Sequence, residues 1–398
     1  MAFTPNGQQI QRSQGNNANS LPYGTIELID TIENFKTPST FLGSYFDREV
    51  LPVTEEVAVD IDVGKRRMAP FCSPLVEGIF VESRKFQTAI FKPSYIKDKR
   101  VPDLLKPVRR QIGERIAGDL DNGSRLEENL NYELNDQIDL VNRRIEWMQA
   151  QALLTGGISV NGQGYDCDAL NIDFNRDVSL SVGLTGTATW DNKGSSPSAC
   201  ITQWAKQVFK KSGTWPTEIV FGGTKAFDCF KNDPAVTLQV TQQAIVSAGV
   251  TGAKLEDLIE LGGIVKKGGV YMGRWGQFKL WIYLDYAVHK IGNSEVELPL
   301  IPEGSIVLTS KYMRGTTVYG LIKDPQFNYQ ALKFAPKIWM ENDPAQINLM
   351  MQSAPLPYLG LPNGSMSASV IDPGNSVTNP NISAIERSRL TSDTIVRK

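Results

Sequence analysis

An α+β fold in two subdomains with extended segments is what this sequence predicts, and three features carry the prediction. Alternating apolar and polar residues in the first quarter read as a strand hairpin. One unbroken apolar stripe over 124–154 reads as a very long helix. Beyond it, helical and strand patterns take turns, as in a mixed α/β block. A length of 398 residues suits two subdomains better than one or three.

The elements divide the chain into six stretches. Residues 1–50 read as an N-terminal arm. Its first 22 positions are rich in Asn, Gln, Ser and Gly, too polar to bury a core. Ile26, Leu28, Ile29, Phe35, Phe41 and Leu42 then anchor an extended segment. Residues 51–110 form a strand region. Thr54 to Val63 alternates with period two, and Gly64-Lys65-Arg66-Arg67 interrupts it. Strand character resumes at 78–81 and 86–91, and Lys97-Asp98-Lys99-Arg100 ends the run. So much strand with so few large apolar residues predicts a projecting hairpin at about 64–102.

Residues 111–196 hold the long helix. Ser124-Arg125-Leu126-Glu127 has the form of a capping box. Apolar residues follow at 126, 130, 134, 138, 141, 145, 148 and 152, in steps of three and four. Gly156-Gly157 supplies the stop. The helix would span roughly 45 Å, with Glu128, Asn131, Asn135, Asp139 and Asn142 on its wet face. Asn161-Gly162 favours a tight hairpin turn.

Residues 197–313 are the mixed block. Ser198 to Lys211 reads as a helix with Ile201, Trp204, Val208 and Phe209 inward. Strands are predicted at 217–221, 270–272 and 279–283, and helices at 225–230 and 255–261. Residues 314–360 return to strand. After Leu361 the chain is Asn-, Ser-, Pro- and Gly-rich, which predicts a tail over 361–398.

The search for chemistry returns little. His289 is the single histidine, and a lone histidine is ordinarily structural. Gly249 to Lys254 has the wrong spacing for a phosphate loop. Asp166, Asp168, Asp173 and Asp177 lack the regular spacing of a calcium loop. Cys72, Cys167, Cys200 and Cys229 show no C-x-x-C pair, which points away from zinc and toward a reducing compartment. No catalytic, cofactor or metal residue is assigned.

A net charge of −2, with both signs mixed along the chain, does not suit a free nucleic-acid binder. There is no long apolar run, so no membrane-spanning helix is expected, and the N-terminus lacks the form of a secretory signal. The basic residues Lys65, Arg66, Arg67, Lys97, Lys99 and Arg100 read either as a solvated hairpin end or as candidates for pairing with a neighbouring copy. The acidic residues Glu127, Glu128, Glu133 and Asp139 on the wet helix face would receive them. Such pairing sets register and specificity more than raw affinity.

Several blocks occur in the order found in one family. They are Phe35-Lys36-Thr37-Pro38-Ser39-Thr40-Phe41-Leu42, then Ala69 to Gly78 (APFCSPLVEG), then Phe91-Lys92-Pro93-Ser94-Tyr95-Ile96-Lys97. Arg314 to Ile322 (RGTTVYGLI) follows. The end is Phe334-Ala335-Pro336-Lys337 with Trp339, Asp343-Pro344-Ala345, and Met351 to Leu356. Over about residues 35–358 the chain resembles the lambda-type major capsid proteins of tailed bacteriophages.

The resemblance implies the Hong Kong 97 fold, with an N-terminal arm, an E-loop hairpin, a peripheral domain carrying a long spine helix, and an axial domain. It also implies a function without catalysis: hexamers and pentamers of one chain closing an icosahedral head around DNA. The partners implied are further copies, scaffolding and portal proteins, a decoration protein, and packaged DNA touched loosely and without sequence preference. Assembly would take place in the host cytoplasm. The alternative is a non-viral nanocompartment of the same fold. An enzyme with a novel site is the third class, and it lacks the convergent titratable groups such a site needs.

Overall fold

The computed structural model describes residues 40–371, apart from 63–67, 78–85, 103–121, 161–169, 238–264, 292–293 and positions 70, 74, 76, 193, 267 and 344. The chain divides into two compact units. One comprises Ile96–Leu140 and Phe334–Ser353. The other comprises Pro38–Tyr95, Val141–Lys333 and the stretch from Ala354. The long helix, α1 (Asn122–Thr155), contributes to both.

The smaller unit is a three-stranded antiparallel sheet with the first half of α1. The strands are Ala335–Asn342, Ala345–Ser353 and Ile96–Arg100, in that order across the sheet. Ile338, Leu349 and Met351 are buried, as are Leu130, Leu134 and Ile138 of the helix. Gln137 ties helix to sheet, its amide donating to the Asp98 carbonyl at 3.0 Å.

The segment 97–100 thus forms a strand where the sequence predicts the end of one. Its residues alternate between half-buried and exposed. Neutralisation of Arg100 by nearby carboxylates lets a charged segment sit in a sheet. The predicted hairpin limit at 102 is too late for the same reason. The hairpin itself pairs Val57–Asp62 with Phe86–Phe91, and most of its tip lies outside the described residues, including the strand predicted at 78–81.

The larger unit centres on a seven-stranded mixed sheet. In order its strands are Ser181–Gly183, Met366–Ser369, Ser305–Thr309, Glu218–Gly222, Phe278–Tyr283, Gly269–Trp275 and Val265–Lys266. Helices α2 (Pro197–Ser212) and α3 (Gly223–Lys231) pack on it. Their core joins Trp190, Ile201, Trp204, Phe221, Phe227 and Phe230. Phe209 is 41 % exposed, not inward as the pattern suggests. Ile201, Trp204, Ala205 and Val208 already fill the buried stripe, so Phe209 falls to its flank against Trp215.

A second core in the same unit gathers Phe41, Leu42, Tyr45, Phe46, Met148, Ala152, Leu153, Val220, Tyr283 and Leu356. Here the chain after residue 40 meets the second half of α1. A small sheet follows, with Gly315–Tyr319 paired in parallel to Arg48–Val50 and antiparallel to Pro355–Leu359.

The predicted helix 124–154 is extended slightly at both ends. Ser124 lies inside the first turn rather than at the cap, because Asn122 and Gly123 are already helical. Seven of the eight stripe positions, from Leu130 to Ala152, are buried, and Leu126 is partly so. At 161–162 the sequence predicts a two-residue turn. That turn lies outside the described residues, between the paired strands Gly157–Val160 and Leu170–Asp173.

The tail begins later than Leu361. Met366–Ser369 pairs with Ser305–Thr309 and Ser181–Gly183 in the main sheet, and Val370 and Ile371 are buried. Small residues at Ser367 to Ser369 fit an interior strand without giving the usual apolar signal. The helix predicted at 255–261 lies outside the described residues, as do the arm over 1–39 and the chain after 371.

Candidate assembly surfaces

The ten charged candidates separate into three groups. Lys65, Arg66 and Arg67 lie outside the described residues. Lys97 and Lys99 sit on the exposed positions of strand Ile96–Arg100, and Lys99 lies 5.1 Å from the Trp339 ring, a cation–π contact. Arg100 turns the other way, toward α1.

Arg100 is the hub of an ion cluster within one chain. Its Nε donates to Asp98 at 3.0 Å and its Nη1 donates to Glu133 at 3.1 Å and to Asp136. Burial pulls the guanidinium pKa down, but the carboxylates of Asp136, Asp98 and Glu133 outweigh it and the net shift is upward. Three carboxylates on one cation leave this stretch acidic. Glu127, Glu128 and Asp139 add to it, the last two exposed.

Arg100→Met should therefore cost the fold about 1–2 kcal/mol. Urea unfolding in low and high salt checks this, with the deficit shrinking as salt rises. An unchanged midpoint in both salts would show the cluster to be inert.

Sequence reasoning passed over two features. The first is the set of large apolar side chains at the described positions of the hairpin tip. Met68, Phe71 and Leu75 are each at least 93 % exposed. Grouped exposed apolar residues mark an interaction surface. The sequence signal is the apolar-rich run Met68 to Leu75, broken by two prolines.

The second is Arg176, buried at 8 % exposure. Its two terminal nitrogens donate to the carbonyls of Leu153 and Leu154 at 2.6 and 2.5 Å, and to the hydroxyls of Ser181 and Ser367 at 2.7 and 3.1 Å. The carbonyls at a helix C-terminus have no partner inside the helix, so Arg176 completes the end of α1 and joins it to two strands of the main sheet. Gly156 makes room: at φ +74°, a Cβ there would meet Arg176 at 2.6 Å. Burial pulls the guanidinium pKa down to about 10, so it stays charged at neutral pH. No local pattern announces such a residue.

Of the aspartates considered for calcium, Asp166 and Asp168 lie outside the described residues. Asp173 accepts from the Asn175 amide at 2.8 Å. Asp177 caps the turn Val178–Leu180 and pairs with Lys211 at 2.5 Å. Among the described residues no cluster of His, Cys, Asp and Glu could hold a metal ion, and no helix is long and apolar enough to cross a membrane.

A long helix against a three-stranded sheet, a strand hairpin and a mixed sheet define a class. The same fold is seen in the crystal structure of a prophage capsid protein of Escherichia coli CFT073. That structure is 21 % identical, with a TM-score of 0.65, and the match covers 88 % of this chain and all of the other. It is the Hong Kong 97 fold of phage capsids.

The family described as phage major capsid protein E matches residues 24–370, and the chain belongs to that family. The major capsid protein of Escherichia phage lambda is 26 % identical over 356 residues, covering 87 % of this chain and 99 % of the relative. The major capsid protein of Escherichia phage N15 matches to the same extent.

Proposed function

We propose that this chain is the major capsid protein of a lambda-like tailed phage, and that its copies form the icosahedral shell of the virion. The family match over nearly the whole described chain carries the reading. Head-to-tail contacts that close into rings of six and five would build such a shell. The exposed tip residues Met68, Phe71 and Leu75 suit burial against a second copy. The acidic face of α1 suits the basic run Lys65-Arg66-Arg67 of a neighbour. Many such contacts per subunit add up to the large buried area of a permanent assembly.

The domain roles follow the same reading. Residues 111–196, with the whole of α1 as spine helix, and the return over 314–360 act as the peripheral domain, the hairpin as the E-loop, and residues 197–313 as the axial domain. The chain works without catalysis. It assembles in the host cytoplasm with scaffolding and portal proteins, and it encloses packaged DNA touched loosely and without sequence preference.

The contents of purified particles test the reading. Nuclease-resistant DNA inside particles made mostly of this chain supports a phage head. A single enzyme cargo with no DNA would overturn it in favour of a nanocompartment.

A further inference from the structure

We propose that residues 41–46 form a protonation-gated latch, held against the core by the neutral carboxyl of Glu146 and loosened when that carboxyl ionises. This is the point where the N-terminal stretch joins its unit. The short 3-10 helix Leu42–Tyr45 starts here, and Phe41, Leu42, Tyr45 and Phe46 are all buried. The Phe41 ring stacks on Tyr283 at 5.4 Å and packs against Trp281 at 5.1 Å. Gly269 leaves the space for it: a Cβ there would sit 2.5 Å from the ring.

Glu146 lies on α1 at 3 % exposure. Its Oε1 accepts the Leu42 N–H at 3.2 Å, satisfying one of the free donors at the start of the turn. The groups acting on it are Tyr283 and Asp285, from the strand Phe278–Tyr283 and its exit, and the N–H groups of Phe41 and Leu42. The Tyr283 hydroxyl is buried and faces the carboxyl as a donor, although it falls short of strict hydrogen-bond geometry. Nearby, Tyr45 gives its hydroxyl to Glu218 at 2.7 Å, and Lys279 stands 3.8 Å from Glu218.

An ionised Glu146 would be a buried charge with a second carboxylate, Asp285, near it. Burial, reinforced by Asp285, pushes its pKa up to about 7, against the pull of hydrogen bonds from the Leu42 and Phe41 N–H groups and the Tyr283 hydroxyl. A carboxyl with a raised docked-state pKa binds its proton more tightly when docked than when free. Docking is therefore strongest below the ordinary carboxylate range and is lost as pH rises through neutrality. This inference concerns the single subunit and stands or falls apart from the shell reading.

Amide hydrogen exchange over residues 41–46 tests it, in the purified full chain from about pH 5 to about pH 9, corrected for intrinsic exchange. Protection in the wild type should fall as pH rises, by on the order of a hundredfold in all. Glu146→Gln keeps the acceptor oxygen and cannot ionise, so its protection should stay flat. A flat wild type, or a Gln variant that follows the wild type, overturns the latch. If the Gln variant does not fold, the infrared band of a buried protonated carboxyl in the wild type decides. Loss of that band in step with protection supports the latch, and its absence at about pH 5 overturns it.

Discussion

Arg176→Ala is expected to remove about 3 kcal/mol or more of stability, the largest effect of any single substitution outside the apolar cores. The residue satisfies two helix-end carbonyls and two serine hydroxyls in a buried place. Truncation leaves the Leu153 carbonyl without its donor and takes one of two donors from the Leu154 carbonyl, which also accepts from the Ser367 hydroxyl; each orphaned buried group costs about 1–3 kcal/mol. Water entering the vacated space would recover part of this.

Arg176→Lys keeps the charge but not the fork that serves separate acceptors, so it should fall between the two. Urea unfolding of the soluble subunit reads the order wild type, Lys, Ala. The account of the helix end is wrong if the alanine variant unfolds at the wild-type midpoint. The effect should also be local: the sheet of the smaller unit, Ile96–Arg100 included, contains no partner of Arg176.

Removing the hairpin tip, residues 63–85, should abolish shell formation while leaving the subunit folded. The limbs Val57–Asp62 and Phe86–Phe91 are paired antiparallel, so a short Gly-containing turn can close them. The deletion must stop there. Extending it to residue 98 would remove part of the strand Ile96–Arg100 and break the sheet of the smaller unit. The trimmed variant loses Met68, Phe71 and Leu75, the most exposed large apolar side chains at the tip. It also loses Lys65, Arg66 and Arg67. Its expected signature is a wild-type circular dichroism spectrum, higher solubility, and no closed particle. Closed shells of normal diameter would show that the tip is dispensable and that contacts lie elsewhere.

Where the sequence was legible, periodicity carried the information. The apolar steps from Leu130 to Ala152 survive as the buried face of α1, and strands such as Phe86–Phe91 follow directly from alternation. Contacts distant in sequence were illegible. Glu146 bonds a residue 104 positions away and Gln149 one 168 positions away. A polar residue inside an apolar stripe gives no hint of which distant group will satisfy it.

Charge misled in one place. Lys97-Asp98-Lys99-Arg100 reads as a solvated end of strand, yet Glu133 and Asp136 on α1 make Arg100 a packed residue. Small residues misled in another, since Ser367 to Ser369 form an interior strand. The acidic helix face was visible in advance, whereas Arg176 had no local signature at all.

The central claim is that copies of this chain close into a shell. Negative-stain electron microscopy tests it most directly, on the chain expressed alone and together with the head genes encoded beside it. The account predicts rings of six and five, and closed icosahedral particles of uniform diameter when the companion proteins are present. Dispersed, folded monomers under both conditions would contradict it.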